Sequence, residues 1–129
     1  MRDAYHTFIA LYFELEFVYQ SQMVKGEGLA EYISEANPFL WDDVGSADPA
    51  IWIEFQRGFI ERFGDAEPDD VESLAFVRDY LEEQSVYYIR VFPGGDETPF
   101  PELFDRAVSL AEWTDMLNDL ERQDRERGK

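Results

Sequence analysis

The sequence predicts a mainly α fold, a compact bundle of about five helices, with room for one small β-hairpin. Three observations carry that reading. Apolar residues recur at helical spacing along most of the chain, and helix-start and helix-stop residues bracket those stretches. The composition, 45% hydrophobic and 16% aromatic, is apolar enough to fill a core despite the charge. At 129 residues the chain is one domain. Residues 1–121 are expected to form it, with 122–129 as a mixed-charge, mobile tail.

From Ala4 to Gln22, Phe8, Leu11, Tyr12, Leu15, Val18 and Tyr19 share one stripe, with Phe13 and Phe17 beside it. This is a long helix buried around much of its circumference. Lys25-Gly26-Glu27-Gly28 breaks the pattern. Leu29, Tyr32, Ile33 and Ala36 make a short second helix that stops at Asn37-Pro38. A connector over 37–47 follows, with Phe39, Leu40 and Trp41 expected in the core and Asp42-Asp43 exposed.

The best-defined helix runs from Asp48 to Gly64. Asp48 can accept from the free amides of the first turn, Pro49 suits the first helical position, and Gly64 can close the end. Trp52, Phe55, Phe59 and Phe63 recur between these caps, flanked by Ile53 and Ile60. Gly58 costs helix stability, so a neighbouring element is expected to approach closely there.

After the turn at 64–68, Asp69 and Glu72 have the spacing of a capping box, and Leu74, Val77 and Leu81 face inward from the fourth helix. Residues 86–92 are dense in aromatic and β-branched side chains and precede Pro93-Gly94-Gly95-Asp96, which favours a strand ending in a turn. Leu81, Tyr88 and Phe92 also align at helical spacing, so a continued helix is the alternative. The strand is preferred, paired with 103–108 in a hairpin; the alternative for that partner is a short helix after Pro101. Ser109 and Glu112 form a second capping box, and the last helix turns Trp113, Met116, Leu117 and Leu120 inward.

Charge is the most unusual property. The formal net charge is −18. The last eight residues hold four basic and two acidic side chains, which leaves 27 acids against 7 bases, a net −20, in residues 1–121. Such a field repels nucleic acid and anionic membrane and attracts basic partners. There is no cysteine, which excludes disulfides and thiolate metal sites. No apolar segment reaches transmembrane length and no secretory signal is apparent, so a cytoplasmic location is expected.

The search for chemistry is short. His6 is the only histidine and lies at a helix end, which suits a surface role better than catalysis. Glu14 and Glu16 sit in an aromatic-rich helix but diverge around its axis, and read as its narrow polar edge. No Glu-x-x-His pair, Ca²⁺ loop or phosphate loop occurs. No catalytic residue, cofactor or metal site is expected, and the chain does not read as an enzyme.

The function that fits is an acidic protein-binding module with a basic protein as partner. The segments Leu11-Tyr12-Phe13-Glu14-Leu15-Glu16-Phe17 and Ser109-Leu110-Ala111-Glu112-Trp113-Thr114-Asp115-Met116-Leu117 resemble stretches of small helical bacterial immunity proteins from contact-dependent inhibition systems. The connector 37–47 and the Pro/Gly loop have no counterpart in that resemblance. It implies an inhibitor of a basic nuclease toxin. Partner-binding residues expected from charge and aromatic character are Asp42, Asp43, Asp65, Glu67, Asp69, Asp70, Glu72, Tyr87, Tyr88, Asp96 and Glu97. The alternatives are a small-ligand or metal-binding helical domain around Glu14, Glu16, Tyr12 and Tyr19, and a nucleic-acid mimic.

Overall fold

A computed structural model describes residues 2–39 and 45–126. Among these, the regular structure is entirely helical: α1 (Ala4–Ser21), α2 (Glu27–Ala36), α3 (Pro49–Phe63), α4 (Asp70–Val91), α5 (Phe100–Ala107) and α6 (Leu110–Glu126). Six helices replace the expected five or so. Phe39, expected in the core, is exposed, and Leu40, Trp41, Asp42 and Asp43 lie outside the described residues.

The caps work as the sequence implies. Asp48 accepts from the Ala50 amide at 3.1 Å, and Gly64 closes α3 at φ 61°. Asp69 accepts from the Glu72 amide at 2.7 Å while the Glu72 carboxylate accepts from the Asp69 amide at 3.0 Å. Ser109 Oγ accepts from the Glu112 amide at 3.1 Å. Each satisfies a donor that the first turn of a helix leaves free.

The hairpin is not formed. Residues 86–91 are the last turns of α4, and 103–107 belong to α5. The inward stripe of α4 continues without a break through Phe76, Val77, Tyr80, Leu81, Gln84, Ser85 and Tyr88, all buried. Val86, Tyr87, Arg90 and Val91 are the exposed side chains of that segment. Their β-branched and aromatic character signals strand only if context is ignored; the long-range partners of Tyr88 and Ser85 decide otherwise. Ser85 Oγ accepts from the Phe100 amide at 3.0 Å, and α5 then turns Phe100, Leu103 and Phe104 inward.

Two helices organise the bundle. α1 packs against α2, α3, α5 and α6, and α4 against α2, α5 and α6. α3 joins them through its rings: Phe55, fully buried, lies 5.0–5.3 Å from the rings of Phe8 on α1 and of Phe76 and Tyr80 on α4. Ile53 and Ile60 point away and are exposed. The Phe76 ring stands 3.6 Å from where a Gly58 Cβ would be, ordinary contact, so Gly58 is not demanded by a close crossing. The close crossing is at Gly28, where a Cβ would come within 2.9 Å of the Tyr88 carbonyl oxygen. α6 runs to Glu126, so the first residues of the expected tail are helical.

Candidate functional site

The bundle leaves a cleft of about 350 Å³ where the end of α2, the start of α3 and the second half of α4 meet. Glu35, Asp48, Glu54 and Glu83 line it with Tyr87, Tyr88 and Gln84. Each wall has a local reason. Glu35 sits on the last turn of α2, and its backbone carbonyl accepts from the Asp48 amide at 2.8 Å, which ties the start of α3 to α2. Tyr88 is buried as part of the α4 stripe, and its hydroxyl donates to Glu35 Oε1 at 3.0 Å. Tyr87, the next residue on α4, is half exposed, with its ring edge-on to Tyr88 at 5.0 Å. Gln84 Nε2 reaches Glu54 Oε1 at 3.5 Å.

The electrostatics of this cleft are unbalanced. Its lining carries four carboxyl groups and no lysine, arginine or histidine among the described residues. Burial, and then a hydrogen bond to the neighbouring Glu31 carboxyl, raise the pKa of Glu35, while the Tyr88 hydroxyl pulls it back. Burial and the Glu35 carboxylate hold the Tyr88 phenol up, so it stays a neutral donor. Behind the cleft, Tyr32 and Tyr80 share a buried hydroxyl–hydroxyl bond at 2.7 Å that fixes α2 against α4. A rigid wall of carboxylates beside two phenol rings can hold a guanidinium or ammonium group, by charge-assisted hydrogen bonds and by contact with an aromatic face.

Of the described residues among those expected from sequence, Tyr87 and Tyr88 belong to this cleft. Asp65 is exposed on the α3–α4 turn. Glu67 accepts from the Arg2 backbone amide. Asp69 and Glu72 are committed to the α4 cap, and Asp70 pairs with Arg2 at 3.1 Å and accepts from Thr114 Oγ1 at 2.8 Å. Asp96 accepts from the Thr98 amide at 2.9 Å and from Gln22 at 3.0 Å, and the Thr98 hydrogen bonds lower its pKa. Glu97 accepts from the Gly94 amide at 3.3 Å. Residues 69–72 and Tyr87 sit about 25 Å apart along α4 at 1.5 Å per residue, so they do not form one surface. Sequence reasoning missed Glu35, Asp48, Glu54 and Glu83. The available signal was the Glu83–Tyr87 spacing on a continuous helix, which a strand at 86–92 conceals.

His6 is also placed differently from a simple surface histidine. Its Nδ1 lies 2.7 Å from Asp3, and its Nε2 bonds to Asp124 of α6. Burial pulls its pKa down, but the hydrogen bonds to Asp124 and Asp3 outweigh that and raise it. This is a clasp between the first and last helices. Glu14 and Glu16 do diverge, but Glu14 is fully buried rather than on a polar edge, and Glu16 hydrogen bonds to Tyr12. Among the described residues, no group of three or more histidine, aspartate or glutamate side chains is arranged to hold a metal ion, and no helix is long and apolar enough to cross a membrane. No protein-family model, curated protein or solved structure matches the chain, so the cleft stands on its own geometry.

Proposed function

We propose that the protein is an acidic protein-binding module that receives a cationic side chain of a basic partner in the cleft between α2, α3 and α4. The observation that carries this reading is a cleft with four carboxyl groups and two tyrosines and no cation in its lining. Elsewhere Arg2, Arg62, Arg78, Arg106 and Arg122 each pair with a carboxylate, so the molecule does neutralise its acids where the fold needs it. A partner arginine would bring the missing charge, and the surrounding negative field would speed its arrival. An immunity-type inhibitor of a basic nuclease toxin is the biological form of this reading, in keeping with the resemblance of residues 11–17 and 109–117.

The test is a pull-down from lysate at low and high salt with the wild type and with a Glu54→Lys/Glu83→Lys variant. The reading expects one basic protein retained at low salt, weakened at high salt and lost from the variant. Equal capture by both proteins would remove the cleft from the interface. Small-ligand binding is the second reading, and a separate observation favours it. A cavity of about 700 Å³ lies beside the α1–α2 loop, lined by Val18, Gln22, Thr98, Leu103 and Arg106 among others. A thermal-shift screen with small carboxylates would reveal occupancy as a raised melting temperature.

A further inference from the structure

The segment with strand-like composition is helical, and part of its side-chain set faces solvent. On the outward side of α4, Glu83, Val86, Tyr87 and Arg90 stand at positions i, i+3, i+4 and i+7, which places them on one face. All four are exposed, Val86 at 63% and Tyr87 at 49%. A β-branched and an aromatic side chain on the wet side of a helix lower its propensity without the return that burial gives. Earlier on the same helix the outward charges are used: Arg78 pairs with Asp105 of α5, and Asp79 with Arg62 of α3, both at 2.8 Å. Glu83 and Arg90 make no ion pair among the described residues.

The order of groups on this face is symmetric about its midpoint. Along α4 it runs acid, valine, tyrosine, base, with Glu83 and Arg90 equally far from the Val86–Tyr87 centre. The two charges are about 10 Å apart at 1.5 Å rise per residue. A second copy of the same helix laid antiparallel sets Arg90 of each copy against Glu83 of the other and stacks Val86 and Tyr87 between them. A two-fold interface requires this property, because one patch must complement itself. A foreign helix requires no such symmetry. Glu83 and Tyr87 also line the acidic cleft, so the second copy's Arg90 reaches its edge and brings the cation that the lining lacks.

We propose that the 83–90 face of α4 is a self-association surface, on which a second copy of this chain packs antiparallel about a two-fold axis between Val86 and Tyr87. The pairing does not rest on the cleft having a basic partner, although the two compete for Glu83. One short helix face buries less than the roughly 1,200–2,000 Å² of a standard interface, so the dimer is a weak one. Two bodies of charge −18 also repel each other, and added salt screens that long-range repulsion, so association strengthens with salt where capture of a basic partner weakens.

Sedimentation velocity of the full chain over rising concentration should show a monomer–dimer equilibrium that shifts toward dimer between low and moderate salt. Glu83→Arg and Arg90→Glu should each weaken the dimer about tenfold, because two like-charge contacts then face each other across the axis. The double variant Glu83→Arg/Arg90→Glu should restore it. All these positions are exposed, so circular dichroism should show the same fold throughout. The chain has no cysteine, so Val86→Cys places one thiol per copy beside the axis and should give a disulfide-linked dimer under mild oxidation, whereas Ile53→Cys, exposed on α3, should not. Arg90→Glu leaves the cleft carboxyls in place, so it should lose the dimer and still capture a basic protein, which separates this surface from the cleft. A chain that stays monomeric throughout overturns the proposal, and so does a dimer that survives the single reversals or is not restored by the swap.

Discussion

On the proposed reading, two acidic regions compete for the role of docking surface, and replacing one residue in each separates them. Asp70 lies in the patch that sequence favours; Glu83 lies in the cleft. Removing Asp70 takes away the acceptor of the Thr114 hydroxyl at 2.8 Å and the partner of Arg2 at 3.1 Å, with about a fifth of each charged side chain exposed. A hydrogen bond to a charged group contributes about 1.5–3 kcal/mol. The partly exposed ion pair adds about 0.5 kcal/mol, and a carboxylate in the first helical turn roughly another 0.5. Asp70→Ala should therefore cost about 2–4 kcal/mol. With an unfolding entropy of about 2.1 cal/mol/K per residue, that lowers the melting temperature by roughly 7–15 °C. Glu83→Lys alters an exposed helix position beside like charges, so stability should change by no more than about 0.5 kcal/mol. Binding should show the opposite pattern. With an arginine-rich peptide on a sensor surface, Glu83→Lys should slow association about tenfold at low salt, and Asp70→Ala should barely change it while folded. Thermal melts by circular dichroism and association rates by surface plasmon resonance read both quantities. The reasoning fails if Asp70→Ala melts like the wild type and loses binding while Glu83→Lys keeps it.

Three further outcomes follow from buried polar groups. Ser73→Ala leaves the Trp113 indole N–H without its acceptor in a fully buried site, which should cost about 1–3 kcal/mol by urea unfolding, and Trp113→Phe in the same background should add less than it does alone. Glu14 has a folded pKa raised to about 8, so its favourable state is complete below the unfolded value of about 4.3 and is lost as pH rises toward 8. At pH 7 full linkage would cost about 3.5 kcal/mol, and halving this for the solvent that reaches Glu112 gives roughly 1.5–2. Glu14→Gln should gain that much at pH 7 in urea titrations and nothing at pH 4; equal effects at both would contradict the linkage. His6 also has a raised pKa, so its clasp with Asp3 and Asp124 is fully present below about pH 6.5 and fades as pH rises through the folded value. The melting temperature of His6→Gln should approach that of the wild type above that value, and a gap that stays constant with pH would exclude the ionic contribution.

What could be read from the sequence and what could not divides along a physical line. Local chemistry was legible. Asp48, Asp69, Gly64 and Ser109 do at the helix ends what their side chains allow, because capping depends on a few adjacent residues. Segment 86–92 was misread because its composition favours strand, and the choice rests on contacts far along the chain: Gly28 against the Tyr88 carbonyl, Tyr88 with Glu35, and Ser85 with Phe100. That error also concealed the cleft. A strand sends Tyr87 and Tyr88 to opposite faces and breaks the one-turn relation between Glu83 and Tyr87. Glu14 escaped for a different reason. A carboxyl among aromatics is expected at a helix's wet edge, and nothing in the local sequence tells that α6 covers it with a second acid.

The charge of this protein is thus two populations with different consequences. The acids between residues 67 and 72, with Asp79, Asp96 and Asp105, are held by amides, hydroxyls or guanidinium groups, and changing them acts mainly on the fold. In the cleft, Glu54 and Glu83 meet no cation among the described lining residues, and burial and the neighbouring Glu31 carboxyl raise the pKa of Glu35. Carboxyls drawn together without a cation repel one another, and a bound cation would offset that repulsion. A cationic partner should therefore bind more tightly than the contacts it makes would suggest, because it removes a repulsion already present in the unbound molecule. Added salt weakens the same affinity twice, by screening the attraction and by relieving the repulsion in advance.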